Sequence, residues 1–187
     1  LLAPTVGGAT RQASVRQGLE ALAAWPVPPA QVLIHDAARP LPASGVIDRV
    51  LAALTTSPGA IPALPVVDTL KRATEAGAIA ETVPRAGLWR AQTPQGFHFG
   101  AILAAHRAAT HEDFTDDADL LQAASLPVAL VEGDELLLKV TTTADLARLE
   151  ALLAATNETR TGFGYDVHAF AAGEHVTLGG VPIPHGR

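Results

Sequence analysis

Apolar positions along the chain alternate between a pattern typical of amphipathic helices and one typical of buried strands. Residues 14–25 place apolar side chains on one face at helical spacing, with Ser14 as the candidate N-cap. Residues 31–35 form a short, β-branched and almost wholly apolar run, as in a strand that is covered on both faces. The same patterns predict further helices at 46–54, 102–109, 117–124 and 144–155, and further strands at 60–67, 128–132 and 136–140.

This alternation predicts an α/β fold with a mostly parallel sheet, whose ligands lie at the carboxyl ends of the strands. Residues 68–95 depart from the pattern, because their short β-like pieces offer little core, and they predict an extended arm. A polar stretch at 156–159 marks a domain boundary, so we predict domains at 1–156 and 157–187. The second is shorter than the roughly 40 residues that a domain usually needs, so we expect it to be truncated.

Composition narrows the class of protein. The 187 residues are 48% hydrophobic and 17% charged with a net charge of -6, which indicates a soluble globular protein and gives a nucleic-acid partner no basic surface. The chain lacks cysteine, which excludes a thiolate nucleophile, and no apolar run approaches the roughly 20 residues that cross a bilayer. We therefore expect a cytoplasmic protein without membrane contact. Because methionine is absent even at position 1, we expect the chain to be a fragment.

Two segments near the N-terminus could bind a phosphorylated ligand. Asp36 stands at the tip of the strand 31–35, where a carboxylate suits Mg²⁺ held together with substrate phosphates. Alternatively, Asp36 caps the following turn and pairs with Arg39. The segment 7–14 brings glycines, a basic side chain and a hydroxyl to a helix N-terminus, which could hold a phosphate or a ribose. It could equally be a plain loop with a helix cap.

Two cationic residues in apolar surroundings are further candidates. Lys139 lies in the predicted strand 136–140, where it could neutralise a phosphate or, as an exposed edge lysine, discourage aggregation. Arg85 lies on the predicted arm, where there is little core for it to serve. It could reach the site of another subunit or simply face solvent.

The remaining polar clusters are weaker candidates. The acidic run 111–119 could suggest a metal site, but it fits better as a loop followed by a helix with Thr115 as N-cap. The segment 162–164 lacks the third glycine of a dinucleotide fingerprint, so that function is rejected. Asp166 and His168 would share one face of a strand and could bind Zn²⁺, Mn²⁺ or a similar ion. A hydrogen-bonded surface pair is the alternative for these two residues.

Several of these segments occur together in the order of a known family. The chain resembles 2-C-methyl-D-erythritol 4-phosphate cytidylyltransferase at Gly7–Val15, Val32–Pro40, Val66–Arg72, Thr82–Gln95, Phe114–Ala118 and Leu138–Thr141. The tail, with Gly-Phe-Gly-Tyr-Asp-Val-His followed by Leu-Gly-Gly-Val-Pro-Ile-Pro-His, resembles the opening of 2-C-methyl-D-erythritol 2,4-cyclodiphosphate synthase. Together they resemble the fused bifunctional enzymes of non-mevalonate isoprenoid biosynthesis. The resemblance implies a Rossmann-like nucleotidyltransferase sheet with a β-arm, then the first strands of a truncated α+β synthase domain.

The resemblance also implies an activity and a set of site residues. The first domain would transfer CMP from CTP to 2-C-methyl-D-erythritol 4-phosphate and release pyrophosphate, with Mg²⁺ spanning the nucleotide phosphates. Asp36 would be a metal and substrate ligand, with Ala37 and Gly8 near the nucleotide and Ser14 at the cytidine side. The residues implied for the polyol phosphate pocket are Arg85, Lys139, Thr69, Thr115 and Arg39. In the family, the partner subunit's arm donates the residues matching Arg85 and Thr69, which implies a homo-oligomer formed through 68–95.

Two departures from the family limit what this chain is expected to do. Nothing in residues 1–6 matches the family's glycine-rich loop with its arginine and lysine, which embraces the triphosphate. In the synthase half, Asp166 and His168 are the only metal-ligand positions of the family that are present, and its third ligand and cytidine contacts are missing. In a complete protein, the fused domain would convert the 2-phosphorylated cytidyl product to the 2,4-cyclodiphosphate and CMP. We expect residues 1–187 alone to be nearly inactive.

Two alternative functions stay open. The same fold could serve another polyol phosphate, such as ribitol 5-phosphate, although the tail at 162–168 argues against it. The chain could also be an inactive dimerisation module built around the arm. A measurement of CTP binding would distinguish these two hypotheses, because an inactive module would not bind CTP.

Overall fold

The computed structural model describes residues 4–110, 114–155, 175–178 and 181–184. The chain divides into two compact units, Leu1–Ala151 and Leu152–Arg187. The helices are α1 (Arg11–Ala23), α2 (Ser44–Ala53), α3 (Phe99–Ala108), α4 (Asp117–Ala123) and α5 (Thr143–Ala155). The strands are β1 (Gln31–Ile34), β2 (Gly59–Pro65), β3 (Leu70–Ala73), β4 (Ile79–Val83), β5 (Trp89–Ala91), β6 (Gln95–His98), β7 (Val128–Glu132), β8 (His175–Leu178) and β9 (Val181–Pro184).

Five strands of the first unit form one mixed sheet. Strand β6 lies between β1 and β2 and is antiparallel to both, β5 is antiparallel to β2, and β7 is parallel to β2. Strands β1, β2 and β7 therefore run in the same direction. The predicted α/β sheet is confirmed, but it is mixed rather than mostly parallel, because the short antiparallel strand β6 separates β1 from β2.

Helices cover the sheet on both faces. On one face, α1, α3 and α4 enclose a core that includes Leu19, Phe97 and Leu121. On the other, α2 presents Val50 to the sheet in a second core. Gly96 allows this close approach, since a Cβ atom there would lie 2.4 Å from Val50 Cγ1. Burial on both faces fixes β6, and with it the residues at its start.

The strands β3 and β4 form a separate two-stranded sheet. Most of its residues are exposed, including Ile79 at 69%. The hairpin turns at 74–78, where Gly77 takes φ of +80° and the Thr74 carbonyl accepts from the Gly77 amide at 2.9 Å. This hairpin corresponds to the middle of the predicted arm. Residues 89–91, which we also assigned to the arm, instead pair with β2 in the main sheet.

Several predicted boundaries differ from the structure. Residues 136–140 are not a strand: they follow a turn in which the Leu137 amide donates to the Asp134 carbonyl at 3.0 Å. The three leucines at 136–138 suggested a buried strand, yet only Leu137 among them is buried. The predicted N-cap Ser14 is wrong, because the Thr10 side chain accepts from the Ala13 amide and α1 begins at Arg11.

The described part of the second unit contains the antiparallel pair β8 and β9 together with the end of α5. The domain boundary predicted at 156 lies outside the described residues and stays a prediction. Among the described residues, no helix is both long and apolar enough to cross a membrane.

Candidate active site

Asp36 follows β1 and is fixed by the strand next to it. Its amide donates to Thr93 Oγ1 at 3.0 Å, just before β6. The Thr93 hydroxyl lies 3.0 Å from His35 Nδ1, and His35 Nε2 lies 2.8 Å from the Arg39 carbonyl oxygen. Because a carbonyl oxygen can only accept, Nε2 is the donor in the contact with Arg39. The turn 35–39 is therefore held by side-chain contacts as well as by a backbone hydrogen bond from the Arg39 amide to the Asp36 carbonyl.

Three cations surround the Asp36 carboxylate. Lys139 Nζ lies 3.0 Å from Oδ2, Arg11 Nε lies 3.5 Å from Oδ1 and Arg39 Nε lies 4.0 Å from Oδ2. Partial burial acts to raise the pKa of Asp36, but the hydrogen bond and charge of Lys139, with the charges of Arg11 and Arg39, hold it below its usual value. Asp36 is thus a stable anion with positively charged neighbours.

Lys139 is placed by the loop after β7 rather than by a strand. The Val140 amide donates to the Ala38 carbonyl at 2.8 Å, which ties this loop to the turn after β1. The Arg39 guanidinium donates to the carbonyls of Leu137 and Ala91. Burial lowers the pKa of Arg39, and the charge of Asp36 opposes that effect. These contacts bring Lys139 and Asp36 together although they are far apart in sequence.

The N-terminus of α4 forms another wall of the site. Asp116 is its N-cap and accepts from the Asp119 amide at 2.8 Å, so the predicted cap Thr115 is wrong. Thr115 instead directs its amide and hydroxyl to Asp119 Oδ2, each at 3.3 Å. Gln95, at the start of β6, donates to Asp116 Oδ2 at 2.8 Å. The starts of α4 and β6 therefore meet here through polar side chains.

These residues enclose a cavity of about 290 Å³. It is lined by Arg11, Asp36, Arg39, Ala91, Gln92, Thr93, Gln95, Thr115, Asp116 and Lys139. Of the predicted site residues, the structure brings together Asp36, Arg39, Thr115 and Lys139. Such a cavity can hold a phosphate against its cations while a carboxylate stands beside it.

The predicted nucleotide residues lie beside α1 and β1 rather than among the lining residues of this cavity. The Gly8 amide donates to Ser14 Oγ at 3.0 Å, and the Ser14 hydroxyl donates to the Thr10 carbonyl at 2.9 Å. Ser14 thus closes the loop before α1. Ala37 directly follows Asp36 in the turn after β1.

Arg85 and Thr69 belong to the exposed arm and do not line the cavity. The Arg85 guanidinium donates to the Val67 carbonyl, which keeps it at the base of the arm. Their predicted place in the site depends on a second copy of the chain and stays a prediction. Asp166 and His168 lie outside the described residues.

Sequence reasoning missed the role of Arg11 and Asp117. Arg11 Nη2 pairs with Asp117 Oδ2 at 2.8 Å, while its Nε faces Asp36. Burial acts to lower the pKa of Arg11, but the charges and hydrogen bonds of Asp117 and Asp36 raise it overall. The basic residue in the segment 7–14 was a signal for Arg11. Nothing local in the sequence connects it to Asp117.

The donor set fits a cation that is bound partly by substrate. Within the described ranges, no group of three or more His, Asp or Glu side chains is placed to hold a metal. Asp36 nevertheless offers carboxylate oxygens at the cavity wall. Mg²⁺ is usually held by one or two carboxylates together with phosphate oxygens and water, so Asp36 suits that role.

The mixed sheet, the helices on both faces and the charged cavity at the end of β1 define an α/β domain of the nucleotidyltransferase type. A model of the 2-C-methyl-D-erythritol 4-phosphate cytidylyltransferase (IspD) family matches residues 3–155, and the chain belongs to that family. The crystal structure of this cytidylyltransferase from Thermus thermophilus superposes with a TM-score of 0.72 at 44% identity, covering 79% of this chain and 71% of that one.

Curated relatives are longer than this chain. The bifunctional enzyme IspD/IspF of Rhodospirillum rubrum is 58% identical over 185 residues, covering 99% of this chain and 47% of the relative. Its counterpart from Gluconobacter oxydans is 53% identical over 186 residues, with 99% and 47% covered. The structure of the bifunctional IspDF from Campylobacter jejuni matches 77% of this chain and 36% of its own, at 28% identity and a TM-score of 0.65. The chain spans about half the length of the curated relatives it matches.

Proposed function

We propose that the protein transfers CMP from CTP to 2-C-methyl-D-erythritol 4-phosphate. The observation that carries this proposal is the 3.0 Å contact between Lys139 Nζ and Asp36 Oδ2 in a cavity that also receives Arg11 and Arg39. An acidic strand end and several cations from distant segments then face one ligand-sized space. Membership of the cytidylyltransferase family supports the choice of reaction.

In this reaction, an oxygen of the 4-phosphate attacks the α-phosphorus of CTP. A new phosphorus–oxygen bond forms as the bond to the leaving oxygen breaks, and that oxygen departs with the pyrophosphate. Such chemistry asks the protein mainly for position and positive charge. Lys139 and Arg39 hold the attacking phosphate, and Thr115 contacts the polyol. Before the phosphate binds, Asp36 keeps Lys139 directed into the cavity. The phosphate then takes the place of Asp36 as the partner of Lys139.

Asp36 is also the residue that we assign to Mg²⁺. When bound, the ion supplies charge neutralisation at the nucleotide phosphates. Gly8, Ala37 and Ser14 form the nucleotide side of the site, next to the N-terminus of α1. The Gly8 amide donates to the Ser14 hydroxyl at 3.0 Å, which holds the two residues together.

We assign Arg85 and Thr69 to the polyol phosphate site of a second copy of the chain, reached through the arm 68–95. Both are exposed at the base of the arm, where a neighbouring subunit could receive them. The protein would then be a homo-oligomer with shared sites, and we place it in the cytoplasm. For residues 157–187 we propose the start of a cyclodiphosphate synthase domain. There Asp166 and His168 would bind a divalent cation such as Zn²⁺ or Mn²⁺.

Release of pyrophosphate tests the cytidylyltransferase proposal. The naturally expressed protein, with any sequence flanking 1–187, is assayed with CTP, Mg²⁺ and a panel of polyol phosphates that includes ribitol 5-phosphate. We expect turnover with 2-C-methyl-D-erythritol 4-phosphate, reduced at least about tenfold, or about 1.4 kcal/mol of barrier, by Lys139→Ala. The control is Arg148→Ala, which removes an exposed cation on α5, away from both the cavity and the arm.

Three results would contradict the proposal. Rates for Lys139→Ala and Arg148→Ala that both equal the rate of the unmodified protein would reject the role of Lys139. Preference for ribitol 5-phosphate would change the substrate. Stable dimers that bind no CTP by calorimetry would favour the dimerisation module.

A further inference from the structure

A buried carboxylate lies behind the cavity and has no part in the proposed reaction. Asp117, the first residue of α4, is 1% exposed. Its Oδ1 lies 3.1 Å from Nε2 of His106, which is also 1% exposed and comes from α3. Its Oδ2 lies 2.8 Å from Arg11 Nη2. Asp117 thus joins the starts of α1 and α4 to the last turn of α3.

This burial is not explained by helix capping. The cap of α4 is Asp116, whose side chain accepts from the Asp119 amide. A buried carboxylate carries a large desolvation cost, and its partners must be well placed to offset it. Here the two oxygens have different partners, one buried and one at the cavity. The arrangement is therefore suited to holding Arg11 in one orientation.

The guanidinium of Arg11 contacts two carboxylates. Its Nη2 pairs with Asp117 at 2.8 Å, whereas its Nε stands 3.5 Å from Asp36 Oδ1. The planar guanidinium can contact two acceptors at fixed angles, which the ammonium group of lysine cannot do. The contact of Arg11 with Asp117 is the tighter of the two. The second oxygen of Asp36 faces Lys139 at 3.0 Å.

We propose that Asp117, held by His106, is a positioning residue that sets Arg11 against Asp36 and so fixes the Asp36 carboxylate at the cavity wall. This inference rests on the proposed function for its catalytic consequence. The positioning itself is a property of the fold and can be measured without turnover. Loss of Asp117 leaves Arg11 with Asp36 as its acceptor, and the two collapse into a closer pair.

Nuclear magnetic resonance tests the positioning. The Arg11 Nε–H signal is assigned by its loss in Arg11→Lys, and we expect it to shift in Asp117→Asn. Glu20→Gln is the matched control, because Glu20 and Arg107 also join α1 to α3 through an ion pair at 2.6 Å, but near the opposite end of α1 from Arg11. The signal should stay in place in that variant. An unchanged Arg11 signal in Asp117→Asn overturns the proposal.

Turnover tests the consequence. We expect Arg11→Lys and Asp117→Asn each to lower kcat about tenfold, the effect typical of residues that orient a ligating side chain. Rates are compared at a temperature where circular dichroism shows every variant folded. Arg11 is partly exposed, so we expect Arg11→Lys to fold even if Asp117→Asn does not. Its kcat alone then tests the catalytic consequence. A kcat equal to that of the unmodified protein in Arg11→Lys overturns the proposal. If the unmodified protein uses no CTP, the proposed function fails while the Arg11 signal still decides the positioning.

Discussion

The cavity edge and the arm hold their charged residues in different ways. At the cavity, the turn that carries Asp36 and Arg39 meets the distant loop that carries Lys139, and hydrogen bonds to backbone carbonyls hold the two together. On the arm, charged side chains pair with the facing strand, as Arg72 does with Glu81 at 2.6 Å where both are exposed to solvent. Charges of the first kind depend on the whole fold, whereas those of the second depend only on the hairpin. Substitutions should therefore have very different effects in the two regions.

The largest difference should come from removing one apolar side chain from each region. Phe97 in β6 is fully buried beneath the site, and Ile79 in β4 is 69% exposed. We expect Phe97→Ala to lower the free energy of unfolding by about 3–5 kcal/mol, because it leaves a cavity in the core. Ile79→Ala should change it by no more than about 0.5 kcal/mol. Urea denaturation measures both, and equal losses would contradict the distinction.

A conservative change at Arg39 should have an intermediate effect. Arg39→Lys loses the fork that reaches the carbonyls of Leu137 and Ala91, and we expect a cost of about 1–3 kcal/mol. The amide of Val140 should exchange faster with deuterium, since its loop is tied to the same turn. Arg72→Lys on the arm is the control. In that variant the Val140 amide should exchange at the same rate as in the unmodified protein. Unchanged exchange in both variants would show that Arg39 does not hold the loop.

Acid should weaken the cavity cluster in a defined direction. The pKa of Asp36 lies below its ordinary value of 3.8 in the folded protein. The stabilisation from its charge is therefore complete above that value and is lost as the pH falls through the lower folded pKa. Asp36→Asn should lower Tm most at neutral pH, and the gap should close below pH 3.8. A gap that widens on acidification would mean that the charge of Asp36 destabilises the fold.

The smallest effect should come from the exposed ion pair on the arm. Glu81→Gln removes the partner of Arg72, and exposed pairs of this kind contribute about 0.2–1 kcal/mol. The loss should vanish in high salt, because solvent ions screen exposed charges. Unfolding in low and high salt measures it. A loss that persists in high salt would place the pair in a less exposed setting.

The sequence predicted most of the elements because their patterns are local. Strand β7 has the predicted bounds, and α5 begins one residue before its predicted start at 144. Strand β6 was missed, since four residues that include glycine and glutamine carry no apolar period, and its place between β1 and β2 depends on pairing over long distances. The leucines at 136–138 have the composition of a strand, but turn contacts to Asp134 and the hydrogen bond from Arg39 to the Leu137 carbonyl hold them in a loop.

The same distinction applies to the candidate site. Asp36 was predicted as a ligand because it follows a recognisable strand, and Lys139 was singled out because lysine is rare in this chain. The contact of Arg11 with Asp117 was not predictable, because it joins the first turns of two helices that only the folded chain brings together. Resemblance to a family placed Arg39 and Thr115 at the same cavity, which local patterns alone did not do.

The turn at Gly77 has a practical consequence for studies of this protein. Its positive φ and its exposure leave the end of the arm free of side-chain packing, and loop tips of this kind tolerate inserted residues well. A fluorescent label introduced there would report on the approach of another molecule to the arm. The loop that carries Lys139 offers no such freedom, since its backbone is fastened at Ala38.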